Sequence, residues 1–217
     1  MSGARRQQKE STREALFVTA MRLFDERGYT ETSVEDIVRE ADVARGTFYV
    51  HFPTKDDVLI ELIRRSDASI LAHIRGAPRG GGVRGILRAT TAGFADNWRE
   101  RRALLPHAGA VAMRRIAAVA EEREVQPLRV ELVGHVEAAV AAGELRADLP
   151  AQILADIFLL DVFAALMAWA IAGVPPLEIV MEGMIELFLR GAEADDADDA
   201  DPPAAAKPRP SARAKSK

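Results

Sequence analysis

The feature that most constrains this chain is the spacing of its apolar residues. They recur every three or four positions through most of the length, with no sustained alternation of period two and little β-branched enrichment, while Ala, Leu, Glu and Arg are abundant. A chain patterned this way folds as helices that bury one stripe each. Leu16, Ala20, Leu23 and Phe24 form the first stripe, which stops at Gly28. Val34, Ile37, Val38 and Ala41 form the second, opened by Ser33 with Asp36 three residues later, close to a capping box. A short third helix is predicted from about Ala44 to His51, before Pro53 breaks the chain. Thr54 and Asp57 open a fourth, which continues to about Ile74.

After the glycine-rich connection at 75–85, the stripe Val83, Leu87, Thr90, Phe94, Trp98 predicts a fifth helix. Two more are expected from Pro106 to about Glu122 and from Val125 to about Ala142. The last pair starts at Asp148–Pro150 and at Pro175–Pro176. The expected fold class is therefore all-α with about nine helices. They divide into a basic, flexible arm at 1–11, a three-helix head at 12–57, a helical body at 58–191, and a disordered charged tail at 192–217.

Composition narrows the function. The 217 residues contain no cysteine, which excludes disulfide frameworks, thiolate metal sites and cysteine nucleophiles. The four histidines, at 51, 73, 107 and 135, are too scattered for a paired-histidine metal motif, so no metal or cofactor is expected. The run RGGGVRG lacks the Gly-Lys-Ser/Thr ending of a phosphate loop and follows no strand. The N-terminus has basic residues but no apolar run of a secretory signal behind them, so the chain reads as cytoplasmic. The stretch 153–173 approaches the length of a membrane span, but Asp156 and Asp161 interrupt it, and a buried or subunit-facing helix is the better reading. No convergent acid/base set points to an enzyme.

The stretch VARGTFYVHF, 43–52, carries the chemistry. Only Ala41-Asp42-Val43 separate the second and third helices, the spacing of a helix-turn-helix whose second helix enters the DNA major groove. In that helix Phe48, followed by Phe52, turns inward towards Phe24, Ile37 and Val38, while Arg45, Thr47 and Tyr49 project outward. Arg45 is suited to a guanine edge, Gly46 to close approach, and Thr47, Tyr49, His51 and the helix start at Ser33 to phosphate oxygens. Lys55, in the first turn of the fourth helix, suits a phosphate as well.

Residues 12–60 resemble the DNA-binding domain of the TetR (tetracycline-repressor-like) family of bacterial transcriptional regulators. The resemblance rests on Phe24, Gly28-Tyr29, Thr32-Ser33-Val34, Ile37, Ala41, Val43, Gly46-Thr47-Phe48-Tyr49, His51-Phe52, Lys55 and Leu59 in that order. It implies a cytosolic homodimer with a three-helix head and a ligand-binding body whose last two helices form the dimer interface. By position it implies phosphate contact at Thr32 and Ser33, base edges at Arg45, Gly46 and Thr47, and backbone contact at Tyr49, His51 and Lys55. Two residues depart from the pattern. Ala44 stands where the family usually has a capping serine, and Asp42 replaces the usual turn glycine.

The expected function is a repressor released from a near-palindromic double-stranded operator by a small-molecule effector. Two alternatives are a carrier or enzyme built on the helical body, and a ligand-independent DNA-organising protein. Phe94, Trp98, His107, Met113, His135, Phe163 and Met167 are the candidate effector-lining residues. The net charge of −4 does not favour DNA, and residues 1–57 hold nine Lys/Arg against eleven Asp/Glu. Favourable charge collects at Arg5, Arg6, Lys9 and Arg13, which are expected to touch phosphate or the minor groove.

Overall fold

The computed structural model describes residues 2–78, 80–120 and 126–192, with side chains described from residue 3 and not within 115–125. The described residues form α1 (Ser2–Arg27), α2 (Val34–Glu40), α3 (Arg45–His51), α4 (Asp56–Arg75), α5 (Gly82–Trp98), α6 (Leu105–Ala120), α7 (Pro127–Ala141), α8 (Ala151–Ala172) and α9 (Leu177–Ala192), with one 3-10 turn at Arg102–Leu104. No strand occurs among them. The tail expected at 192–217 lies, beyond Ala192, outside the described residues, as does the start expected for α7 at Val125; Pro127 occupies the first turn of that helix.

The first correction concerns the N-terminus. Residues 2–11 are not an arm separate from the head but the opening turns of α1, which runs unbroken from Ser2. The physical reason is the absence of any proline or glycine between Ala4 and Arg27 in a stretch rich in Arg, Gln, Lys and Glu, so a helix nucleated on the Leu16 stripe propagates backwards.

Local rules explain the head. Gly28, at φ +89°, ends α1, and its N–H donates to the Phe24 carbonyl at 2.9 Å. Ser33 and Asp36 form the reciprocal capping box of α2. At the far end of α2 the Val43 N–H donates to the Val38 carbonyl at 3.0 Å and the Asp42 N–H to the Arg39 carbonyl at 3.4 Å. This is a Schellman closure with Asp42 in the left-handed region at φ +51°, which aspartate occupies at modest cost. The turn thereby holds α3 at a set angle to α2. Phe24, Ile37, Phe48, Phe52, Val58 and Leu59 are all buried in one core beneath it.

The expected boundary at 57/58 falls in the first turn of α4, so the head and body share that helix. Its later turns pack on α5 and α6. Gly93 makes the α4–α5 contact possible: a Cβ there would lie 2.9 Å from the Ile70 Cα. Opposite charges link α5 to α9 through Arg84–Glu186, Arg88–Glu182 and Arg99–Glu178, the last at 2.9 Å. These half-exposed pairs set register more than stability. The glycine connection is closed from within, because the Val83 N–H at the start of α5 donates to Glu144 at 2.7 Å.

α8 is long and apolar enough to cross a membrane, yet it packs against α6, α7 and α9, and its Asp156 is held by a two-pronged pair with Arg129 of α7 at 2.6 and 2.8 Å. Phe158, Trp169, Met184 and Phe188 of these last two helices are buried within the protomer. The large apolar residues of α8 and α9 left exposed are Ile153, Ile157, Leu160, Ile171, Ile179 and Leu187.

Two glycines separate tight packing from intrinsic helix preference. Gly93→Ala is expected to destabilise the protein by about 1–3 kcal/mol through overpacking. Gly134→Ala in α7, where an added Cβ meets nothing within 4 Å, should stabilise it by about 0.4–1 kcal/mol. Equilibrium urea unfolding measures both.

Candidate nucleic-acid interface

The exposed edge of α3 is short and specific. Arg45 keeps 64% of its side chain in solvent, with its guanidinium 2.8 Å from Glu35 of α2 and 3.4 Å from the Tyr49 hydroxyl. Those partners hold the arginine charge firmly, raising its pKa above the usual value, with the Tyr49 bond the larger cause and Glu35 the next. Tyr49 is 41% exposed and rests edge-on against buried Phe48, ring centroids 5.6 Å apart. Gly46 is exposed and a Cβ there would touch nothing in the protein, so the fold itself does not require glycine. Thr47 is half-buried between these two positions. Val50, exposed to 68%, extends the same edge and was not singled out from sequence, because an isolated valine carries no polar signal. Ala44 occupies the N-cap of α3 without a side-chain bond, the consequence expected of its departure from serine.

Ser33 is exposed at the start of α2, with Asp36 accepting from both its hydroxyl, at 2.6 Å, and its N–H, at 3.1 Å. These bonds and Arg39 hold the Asp36 carboxyl down at about 2.

Three expected DNA contacts are turned inward, and each is a correction. Thr32 is fully buried, its hydroxyl bonded to the Gly28 carbonyl at 2.8 Å with the Leu23 carbonyl at 3.2 Å; it ties the end of α1 to the start of α2. Lys55 donates to the Tyr29 and Thr32 carbonyls at 2.8 and 2.9 Å and sits 4.2 Å from the Tyr29 ring centre, so it satisfies carbonyls that have no helical partner. Burial lowers its pKa, with Asp56 and Glu31 opposing. His51 is only 8% exposed, and its carbonyl, not its ring, accepts the strong bond from Arg13. Sequence position identified these residues, but burial could not be read from it.

The effector-lining set does not converge. Trp98 is core, Phe94 packs on the Ile70–Ile74 cluster, Met113 is half exposed, and His135 lies 4.0 Å from Glu131 on its own helix. Phe163 and Met167 pack over Gly109 of α6, where a Cβ would be 3.4 Å from the phenyl ring and 2.7 Å from the sulfur. His107 stacks on Tyr29 of the head at 4.9 Å. A groove of about 860 Å³ lies elsewhere, between α8 and α9, lined by Ile157, Asp161, Ile179, Gly183, Leu187 and others but by none of the seven. No group of three or more His, Asp or Glu with metal-binding geometry occurs among the described residues.

His107 belongs to a junction between head and body. Asp56, in the first turn of α4, accepts a short bond from the Tyr29 hydroxyl on one oxygen and from Arg114 of α6 on the other, at 2.5 Å. Burial, then the Asp56 bond, pushes the Tyr29 phenol well above its usual pKa.

Residues 16–62 match the model of the bacterial regulatory proteins of the tetR family. Over those residues the head is that of the tetR family. Curated relatives match this chain over part of its length: the regulator AcrR of Shigella flexneri is 34% identical over 70 residues, 32% of this chain and 33% of that one. The regulator EthR of Mycolicibacterium smegmatis is 35% identical over 68 residues, 30% of this chain and 31% of that one. The first curated relatives are matched over only 16–34% of their own length. The fold likeness extends further. The Thermus thermophilus repressor FadR, solved with lauroyl-CoA, is 25% identical at a TM-score of 0.64, covering 82% of this chain and 94% of that one. Bacillus subtilis FadR, solved with stearoyl-CoA, is 16% identical at a TM-score of 0.63, covering 82% and 98%.

The capping box makes the start of α2 sensitive to acid. The folded carboxyl of Asp36 titrates below its unfolded value, so its contribution is full above about pH 4 and is lost as pH falls through about 2. Ser33→Ala should move the Asp36 midpoint up towards 3.8, followed by carboxyl-carbon NMR, and destabilise the head by about 1 kcal/mol.

Proposed function

We propose that the protein is a homodimeric, cytoplasmic transcriptional repressor that binds a near-palindromic operator and leaves it when a small molecule binds the body. One observation carries the reading: Arg45, Gly46, Thr47 and Tyr49 form a solvent-facing edge backed by buried Phe48 and Phe52. A helix held so rigidly, with its polar tips outward, is suited to the major groove. There Arg45 can donate twice to a guanine and Tyr49, Thr47 and Ser33 can hold phosphates. In the free protein Glu35 competes for Arg45. Binding DNA exchanges that exposed pair for base contacts.

The α8–α9 face supports dimerisation. Ile157, Leu160 and Leu187 are 40–75% exposed beside the groove, an apolar surface that a second copy would cover as a four-helix bundle. Dimerisation places two α3 edges on one duplex, about 34–36 Å apart or at a related spacing.

The effector reading is supported by the fold neighbours that hold fatty acyl-CoA, which makes long-chain acyl-CoA the first class to titrate. The junction at Asp56 offers the route to the head. Arg114 and His107 belong to α6, a body helix, while their partners Asp56 and Tyr29 brace the head. An effector that favours a different position of α6 would shift the spacing of the two α3 edges through these contacts.

Selection of bound sequences from random duplex DNA at physiological salt tests the function: an enriched palindrome is expected, and failure to enrich any sequence overturns the reading. On the enriched duplex, Arg45→Ala should weaken binding roughly 5- to 100-fold and relax the preference at one base per half-site. Glu35→Gln should strengthen binding, both read by fluorescence anisotropy. Leu187→Asp should give a folded monomer by sedimentation, with operator affinity reduced in step.

A further inference from the structure

Nearly every charge on the last two helices has a partner inside the protomer. α8 and α9 carry five carboxylates and a single basic residue, Arg190. Four of the carboxylates are taken: Asp156 by Arg129 of α7, Glu178 by Arg99, Glu182 by Arg88 and Glu186 by Arg84. Asp161 and Arg190 are left over. Among the described residues neither side chain makes a hydrogen bond or an ion pair.

The two line the same groove, of about 860 Å³ between α8 and α9. Its wall is mostly apolar, with Ile157, Val180 and Leu187 prominent, and its third charged residue, Glu186, is the one held by Arg84. Asp161 is half-buried there and Arg190 is exposed.

Their offset along the helices has a direction. α8 and α9 run antiparallel, joined by the short turn at 173–176. Phe158 and Phe188 meet edge-on with ring centroids 5.2 Å apart, which sets the level at which the two helices are aligned. Asp161 lies three residues further along α8, about 4.5 Å to one side of that level. Arg190 lies two residues further along α9, about 3 Å to the opposite side. Within one chain the offset separates them. A two-fold axis crossing the groove near the phenyl pair removes it. That axis carries Asp161 of one copy to the level of Arg190 in the other, and the same contact forms twice, as in any face-to-face pairing of identical chains. Closing the groove also takes both groups out of water, where a lone carboxylate or guanidinium opposes association and a matched pair does not.

We propose that Asp161 and Arg190 form a reciprocal ion pair across the α8–α9 face, and that this pair selects a second copy of the chain over other partners with a similar apolar face. The inference rests on the dimer read above and adds the basis of its selectivity. Ile157, Leu160 and Leu187 attract any apolar surface and do not distinguish one from another. The charges do, because a partner lacking the complementary groups leaves both of them unmatched. Selection of self serves the proposed function, since only identical heads read the two halves of a palindrome.

The test exchanges charges in the full-length chain and reads assembly by sedimentation velocity and native mass spectrometry. Asp161→Arg and Arg190→Asp should each raise the dimer Kd roughly tenfold or more, because each sets like charges against one another twice in its own interface. Mixed together, the two variants should recover dimers, and these should be heterodimers, one chain carrying both cations and its partner both anions. A chain with both reversals should form homodimers again and should not exchange subunits with the wild type. Single variants that dimerise like the wild type overturn the ion pair and leave the α8–α9 dimer standing. So does a mixture of the two that stays monomeric or assembles at random. A wild type that is itself monomeric overturns the dimer reading, and the pair with it. Where a reversal loses its helical circular dichroism, Asp161→Asn, Arg190→Gln and the two combined take its place. The double variant should then raise Kd by less than the product of the single effects, and strict additivity overturns the pair.

Discussion

The structure depends on two phenyl rings. Phe48 and Phe52 are fully buried, 5.8 Å apart, and with His51 they form the inner face of a seven-residue helix and its C-cap. A helix that short has no stability of its own, since nucleation costs more than its few hydrogen bonds return. It persists because those rings are packed under α1, α2 and α4, and because the Schellman closure at Val43 sets its angle. The polar edge of Arg45, Thr47 and Tyr49 is rigid only to the extent that this inner face is rigid.

The same logic explains why apparent contact residues turned out to be structural. A three-helix head of this size leaves many helix-end carbonyls close together. Thr32 and Lys55 donate to four carbonyls at the end of α1 and in the loop to α2, those of Leu23, Gly28, Tyr29 and Thr32. Asp56 then ties Tyr29 to Arg114, so the bracing of the head is continuous with a helix of the body. Head and body share α4 and one hydrophobic core, and a shift of α6 cannot leave the head untouched.

Charge is used sparingly. The head is slightly acidic in sum, and most of its arginines are paired: Arg13 with Glu61, Arg22 with Glu26 and Glu40, Arg39 with Asp36. Attraction for a polyanion must then come from a few cations left unpaired or loosely paired, Lys9 and Arg45 among them, and from where the fold puts them. Such a surface favours discrimination over indiscriminate binding, because little affinity is available without close fit.

The sequence by itself determined the helical class, the order of the elements, the helix-turn-helix and its inward rings, and the capping box at Ser33. All of these follow from rules acting over a few residues: period, caps, glycine stops and turn length. Only the tertiary structure decided which polar side chains remain available. Thr32, His51 and Lys55 differ from Ser33, Arg45 and Tyr49 not in chemistry but in which neighbours reach them from 4 to 38 residues away. Likewise the scattered positions of Phe94, Trp98, His107 and Met113, and the groove shared by Asp161 and Arg190, depend on how helices cross. Crossing is set by the packing of whole faces against one another, a property no single stretch of the chain contains.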